Sequence, residues 1–143
     1  MRPRFGIITL GVDDLQASLD FYRDGLGLKS EGIVGEQWEH GAIVLIKLEN
    51  GMALCLFPRG DLALDAKVDK GPPSATEFSI GHNVNSEAEV DRIIQLAEKA
   101  GARITVKPQK KFWGGYSGYF QDPDGHLWEV LFNPSFLPGN IEM

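Results

Sequence analysis

Two kinds of apolar spacing alternate along this chain. FGIITLGV, residues 5–12, is rich in β-formers and has the length of a strand. DDLQASLDFYRDGLG follows, with Leu15, Leu19, Tyr22 and Leu26 at helical spacing. Asp13 and Gln16 have the offset of a capping box, and Gly25 and Gly27 are stop signals. The pattern predicts a helix of about three turns. Strand patterns return at LKSEGIVG (28–35), AIVLIKLE (42–49) and GMALCLFP (51–58), the first being the least regular. Asn50-Gly51 between the last two is a hairpin signal, because both residues tolerate positive φ.

Residues 59–75, RGDLALDAKVDKGPPSA, interrupt this order and read as a connection. The order then starts again. TEFSIGHNV (76–84) reads as a strand. Ser86 and Glu89 form a second capping box, ahead of a stripe of Val90, Ile93, Ile94 and Ala97 that stops at Gly101. ARITVKP (102–108) reads as a strand ended by Pro108, and GGYSGYFQ (114–121) as a strand interrupted by glycine. DPDG (122–125) reads as a turn and HLWEVLF (126–132) as the last strand. The tail is expected to pack through Phe136 and Leu137.

The result is an internal repeat, βαβββ twice. Module one covers 4–58, the linker 59–75, module two 76–133 and the tail 134–143. The expected class is α+β, a single domain in which two tandem βαβββ modules form a curved mixed sheet around one pocket. One module alone leaves a sheet face uncovered, and two can cover each other's.

Composition narrows the function. With 14 Lys and Arg against 20 Asp and Glu, the net charge of −6 argues against nucleic acid, which needs clustered positive charge. Lys107, Lys110 and Lys111 are too short a run for a phosphate-binding patch and read as a solvated loop. A single cysteine, Cys55, excludes an internal disulfide. No apolar run is long enough for a membrane span, and the N-terminal order is not that of a signal peptide. A cytoplasmic location is the expectation.

Two stretches carry a resemblance. ITLGVDDLQASLDFYRDGLGL resembles the opening of the vicinal oxygen chelate superfamily, which includes glyoxalase I, extradiol dioxygenases and bleomycin-resistance proteins. GYFQDPDGHLWEVLFNP resembles its closing hairpin, so the likeness covers nearly the whole chain. It implies a glyoxalase-like fold and, commonly, a dimer; a homodimer is expected here. It also implies where a divalent metal would sit, on His or Glu of the first and last strands of each module. Aligned by motif, those positions are Ile7, Cys55, Ser79 and Glu129, of which only Glu129 keeps the pattern. A catalytic metal needs three or four suitable ligands, so none is expected, beyond a soft ion held weakly by Cys55 and Glu129.

The remaining candidates come from strand parity. Glu129 alternates with Leu127 and Leu131 on one face, while Trp128, Val130 and Phe132 share the other, which suits packing on a helix. A carboxylate between two leucines serves as a base, a ligand anchor or a buried structural group satisfied by a nearby hydroxyl. Cys55 shares the pocket face with Ala53 and Phe57 and reads as an inert thiol. His82 shares parity with Phe78, Ile80 and Val84 and reads as structural; His126 is expected to bond local backbone, and His40 has no clear placement. KKFWGGYSGYF, residues 110–120, interleaves five aromatics with three glycines. Phe112 and Trp113 are expected at the pocket mouth and Tyr116 or Tyr119 inside it.

The reading is a protein that binds a small organic ligand through Cys55, Ser79, Phe112, Trp113, Tyr116, Tyr119 and Glu129, sequestering a drug or metabolite without a metal. The alternative is a glyoxalase-like lyase or isomerase with Glu129 as its catalytic base or metal ligand.

Overall fold

The computed structural model describes residues 1–135, with only the backbone of Asn50. The expected packing of Phe136 and Leu137 lies outside the described residues. The chain divides into two compact units, Met1–Pro72 and a second beginning at Pro73.

The first unit runs β1 (Ile7–Val12), α1 (Leu15–Leu19), a π-helical continuation (Asp20–Gly25), β2 (Ser30–Val34), β3 (Ile43–Lys47), β4 (Ala53–Pro58) and α2 (Arg59–Ala66). The second runs β5 (Ile80–Asn83), α3 (Glu87–Lys99), β6 (Arg103–Lys110), β7 (Tyr116–Gln121) and β8 (Leu127–Phe132). Each unit holds one four-stranded mixed sheet, ordered β1-β4-β3-β2 and β5-β8-β7-β6. In both, the first strand lies parallel to the fourth and the other pairings are antiparallel. The α+β class and the two tandem modules are therefore observed.

Four local expectations need correction. The first helix is α-helical for only five residues and then widens into the π stretch, with Leu26 N–H donating to Phe21 C=O at 2.9 Å. The wider turn lets the consecutive Phe21 and Tyr22 both point inward, which an α-helical stripe does not. Its N-cap is Asp14, which accepts from Ala17 N–H at 3.0 Å; Gln16 instead donates to Asp20 and Asp13 receives Arg59 Nε. Residues 59–75 are not wholly irregular, because α2 occupies the first eight and ends at Lys67 with φ 56. Strand β6 continues through Pro108, which is tolerated because β6 is an edge strand of its sheet.

The second capping box forms. Ser86 Oγ accepts from Glu89 N–H at 3.1 Å, and Glu89 reaches back to the Asn85 N–H at 2.8 Å. Helix α3 then buries Val90, Ile94 and Ala97. They pack on one face of the second sheet, where Val130 and Phe120 are buried and Trp128 stacks on Phe120. Gly118 lies under the helix: an added Cβ would meet Val106 C=O at 2.9 Å and Ile94 Cδ1 at 3.3 Å, so any side chain would push helix and sheet apart. Tyr116 ties the layers together, its hydroxyl donating to Asp91 Oδ1 at 2.6 Å.

That bond has a pH signature. The hydrogen bond to Asp91, together with burial and the negative charges of Asp91 and Glu87, pushes the Tyr116 phenol up to about 12. The folded chain thus holds this proton more tightly than the unfolded chain, whose tyrosines titrate near 10. The resulting stability is fully present below about pH 10 and is lost between about pH 10 and 12. Tyr116→Phe should cost about 1 kcal/mol at pH 8, the value of one partly screened hydrogen bond. Urea titrations should show the gap from wild type closing as pH approaches 12; a constant gap would contradict the assignment.

Candidate functional site

The face of the second sheet opposite α3 carries the candidate chemistry. Strand register places Tyr119 of β7 directly across from Glu129 of β8, with Ser117 across from Leu131 and Gln121 across from Leu127. The alternation of β8 puts Glu129 between Leu127 and Leu131, half-buried, while Val130 behind it is fully buried against the helix side. Tyr119 and Glu129 are direct register partners, and the Glu129 carboxylate acts on the Tyr119 phenol. Lys111 places its ammonium 5.9 Å from the centre of the Tyr119 ring. An ammonium, a phenol and a carboxylate thus form one short row of groups on a face shared with Ser117, Gln121, Leu127 and Leu131.

Burial is the largest influence on Tyr119 and pushes its phenol above the ordinary value; the charge of Glu129 and the hydrogen bond to it act in the same direction. Tyr119 therefore keeps its proton and acts as a donor. Ser117 was not among the residues singled out from the sequence. It is fully buried, and its hydroxyl has no hydrogen-bond partner. Its parity with Tyr119 in YSGYF was the available signal, masked by the more conspicuous aromatics.

The aromatic segment separates into different roles. Phe112 is 100% exposed at the tip of the β6–β7 turn. Trp113 folds back over its own hairpin, where a side chain at Gly115 would collide with the indole ring and with Phe132 C=O. Tyr116 lies on the helix face with Asp91, not with Tyr119 and Glu129. Of the two tyrosines expected inside, only Tyr119 shares the face of Glu129.

The other candidates are dispersed. Ser79 precedes β5 and is exposed. Cys55 belongs to the first unit, buried opposite Thr9 and Leu45. Burial pushes its thiol up, and the hydrogen bond with Thr9 only partly offsets this. His82 is paired in register with Val130 and is exposed. At the turn exit the His126 backbone N–H donates to Asp122 Oδ1 at 2.8 Å, a bond of its backbone to a side chain and not of its side chain to local backbone. His40 pairs with Asp61 of α2 at 2.7 Å and with Glu39 at 3.3 Å.

The positions implied for a metal do not make a donor set. Ile7 offers only hydrocarbon, and it is 52% exposed. Cys55 is held toward the thiol, whereas metals bind the thiolate. Ser79 lies outside the strand, and Glu129 faces Tyr119 across the sheet. Among the described residues no three His, Cys, Asp or Glu side chains converge.

The link between Tyr119 and Glu129 is measurable without a ligand. Replacing Glu129 with Gln removes its charge, so the Tyr119 titration midpoint should fall. It should stay above the ordinary tyrosine value, because burial remains. The ¹³Cζ resonance of labelled tyrosine follows this directly, and an unchanged midpoint would break the proposed contact.

Known proteins share this architecture. A profile of the Glyoxalase/Bleomycin resistance protein/Dioxygenase superfamily matches residues 4–130. Glutathione transferase FosA from Serratia marcescens is 30% identical over 127 residues, covering 86% of this chain and 76% of that protein. A glyoxalase-related enzyme from Fulvimarina pelagi, solved by crystallography, is 30% identical, with a TM-score of 0.81 over 96% of this chain and 94% of that one. The fosfomycin resistance protein FosX from Listeria monocytogenes, at 21% identity and a TM-score of 0.68 over 93% and 95% of the two chains, shares the fold. With its duplicated βαβββ units and a profile match over most of its length, the chain belongs to the Glyoxalase/Bleomycin resistance protein/Dioxygenase superfamily.

Proposed function

We propose that this chain binds a small organic molecule against the Glu129 face and does so without a catalytic metal. The observation that supports this best is the pairing of Glu129. In a position where the superfamily resemblance implies a metal ligand, the carboxylate has a tyrosine hydroxyl as partner, and Ile7 has no donor to contribute. The apolar neighbours Leu127 and Leu131 supply contact area, while Glu129 and Tyr119 supply the few polar anchors such a site needs. Sequestration asks nothing more of the site than shape and anchors.

The second reading is a lyase or isomerase that moves a proton with Glu129. One specific observation favours it: Tyr119 and Glu129 lie directly across from each other in strand register, an acid beside a base, as proton transfer requires. The similarity to Glutathione transferase FosA adds a thiol-transfer chemistry to test alongside it.

Two measurements separate these outcomes. Protein purified without chelator should carry well under one equivalent of divalent metal, with an unchanged melting temperature in EDTA. A stoichiometric ion bound through Glu129 would overturn the metal-free reading. Glu129→Gln should weaken binding of ligands that bear a cation or donor by roughly tenfold, the value of a charge-assisted hydrogen bond, with no turnover to lose. A base would instead reveal itself as a fall of about 100-fold or more in turnover of methylglyoxal with glutathione, at modest cost in affinity. If neither affinity nor turnover changes, Glu129 is a structural group.

A further inference from the structure

Glu129 is the middle residue of a row across three strands. Its neighbour on β7 is Tyr119, and its neighbour on β5 is Gly81. The two flanks differ in kind. The β7 flank is filled by the Tyr119 ring, with the Lys111 ammonium over it. The β5 flank has no side chain, and Gly81 is exposed.

Packing does not require glycine here. Gly81 is not among the residues with positive φ. An added Cβ would meet Leu131 Cδ2 at 3.5 Å and Asn83 Oδ1 at 3.9 Å, both ordinary contacts. Glycine inside a strand lacks packing area and costs chain entropy, so an exposed glycine that packing does not require leaves the flank of Glu129 without a side chain of its own. Gly118 on the neighbouring strand is the contrast, since α3 and β6 leave it no room.

The charged group beside this opening is an acceptor. An ionised carboxylate accepts about four hydrogen bonds and donates none, so the bond from Tyr119 leaves capacity. An anionic group there would face the negative charge of Glu129, whereas an ammonium brings three donors and the complementary charge.

We propose that the opening at Gly81 admits the ammonium of a small organic amine onto Glu129, with Gly81 as the specificity-determining residue and Tyr119 as the positioning residue that steadies the carboxylate. This rests on the reading that Glu129 faces the ligand. An apolar body attached to the amine lies along Leu127 and Leu131, which flank Glu129 on the same strand face.

The test uses the full chain with benzylammonium and benzyl alcohol, probes of similar shape that differ in charge, titrated by NMR chemical shift. Wild type should prefer benzylammonium by about tenfold. Gly81→Ala should lower affinity for benzylammonium by several-fold or more and leave the melting temperature equal or higher. Tyr119→Phe should reduce the ratio of ammonium to alcohol affinity, a selectivity effect that a merely structural role would not produce. Unchanged benzylammonium affinity in Gly81→Ala, or no preference for the ammonium in wild type, would overturn the proposal. Glu129→Gln tells which level has failed. If it weakens benzylammonium binding while Gly81→Ala does not, only the role of Gly81 falls. If it too has no effect, the functional reading of Glu129 falls with it.

Discussion

The pairing of β8 with its two neighbours is the constraint on which the site depends. A strand presents successive side chains to opposite faces, so β8 must satisfy two environments at once. Val130 is fully buried on the α3 side, and Trp128 stacks with Phe120 there. Those contacts fix the register, and a slip of one residue would turn Glu129 into the apolar layer beneath the helix. With the register fixed, Tyr119 necessarily lies across from Glu129 and Gly81 lies on its other side. The same packing that makes the second unit stable thus determines which groups can meet on the opposite face.

Much of this was legible in the amino-acid order. The two-module repeat could be read because capping signals and strand patterns recur in the same sequence of elements. The facing of Glu129 with Leu127 and Leu131 could be read because parity alone decides it. What escaped was information that resides between strands. Tyr116 and Tyr119 differ by an odd number of positions, so they had to lie on opposite faces, yet parity within β7 did not say which faced Glu129. That was set by the pairing with β8 and by Asp91 on α3. Ser117 was overlooked because a hydroxyl stands out only when its surroundings are known to be closed. The π-helical turn at Asp20–Gly25 was invisible for a related reason: a stripe at helical spacing does not report a local widening that brings Phe21 and Tyr22 inward together.

Superfamily membership gives this chain an architecture in which a metal is common, and its residues answer that architecture unevenly. Ile7 removes a donor outright, and Cys55 is buried as a thiol. Glu129 keeps its carboxylate but has Tyr119 as its partner. A half-buried carboxylate with no partner would be costly, so in the absence of a metal some donor has to meet it. The tyrosine meets that requirement without neutralising the charge, because its phenol is pushed up by burial and by Glu129 itself. The site therefore stays an acceptor. On the proposed reading, selectivity lies in the ligand's donors and in the space beside the carboxylate.

The central proposal is that Glu129 has Tyr119, and not a metal, as its partner. The most direct measurement is a high-resolution crystal structure of protein purified without chelator, with anomalous scattering recorded at transition-metal edges. The account predicts the Tyr119 hydroxyl oxygen within hydrogen-bonding distance of the Glu129 carboxylate and no anomalous peak at that carboxylate. An ion coordinated by Glu129 at full occupancy, with Tyr119 turned away, would contradict it.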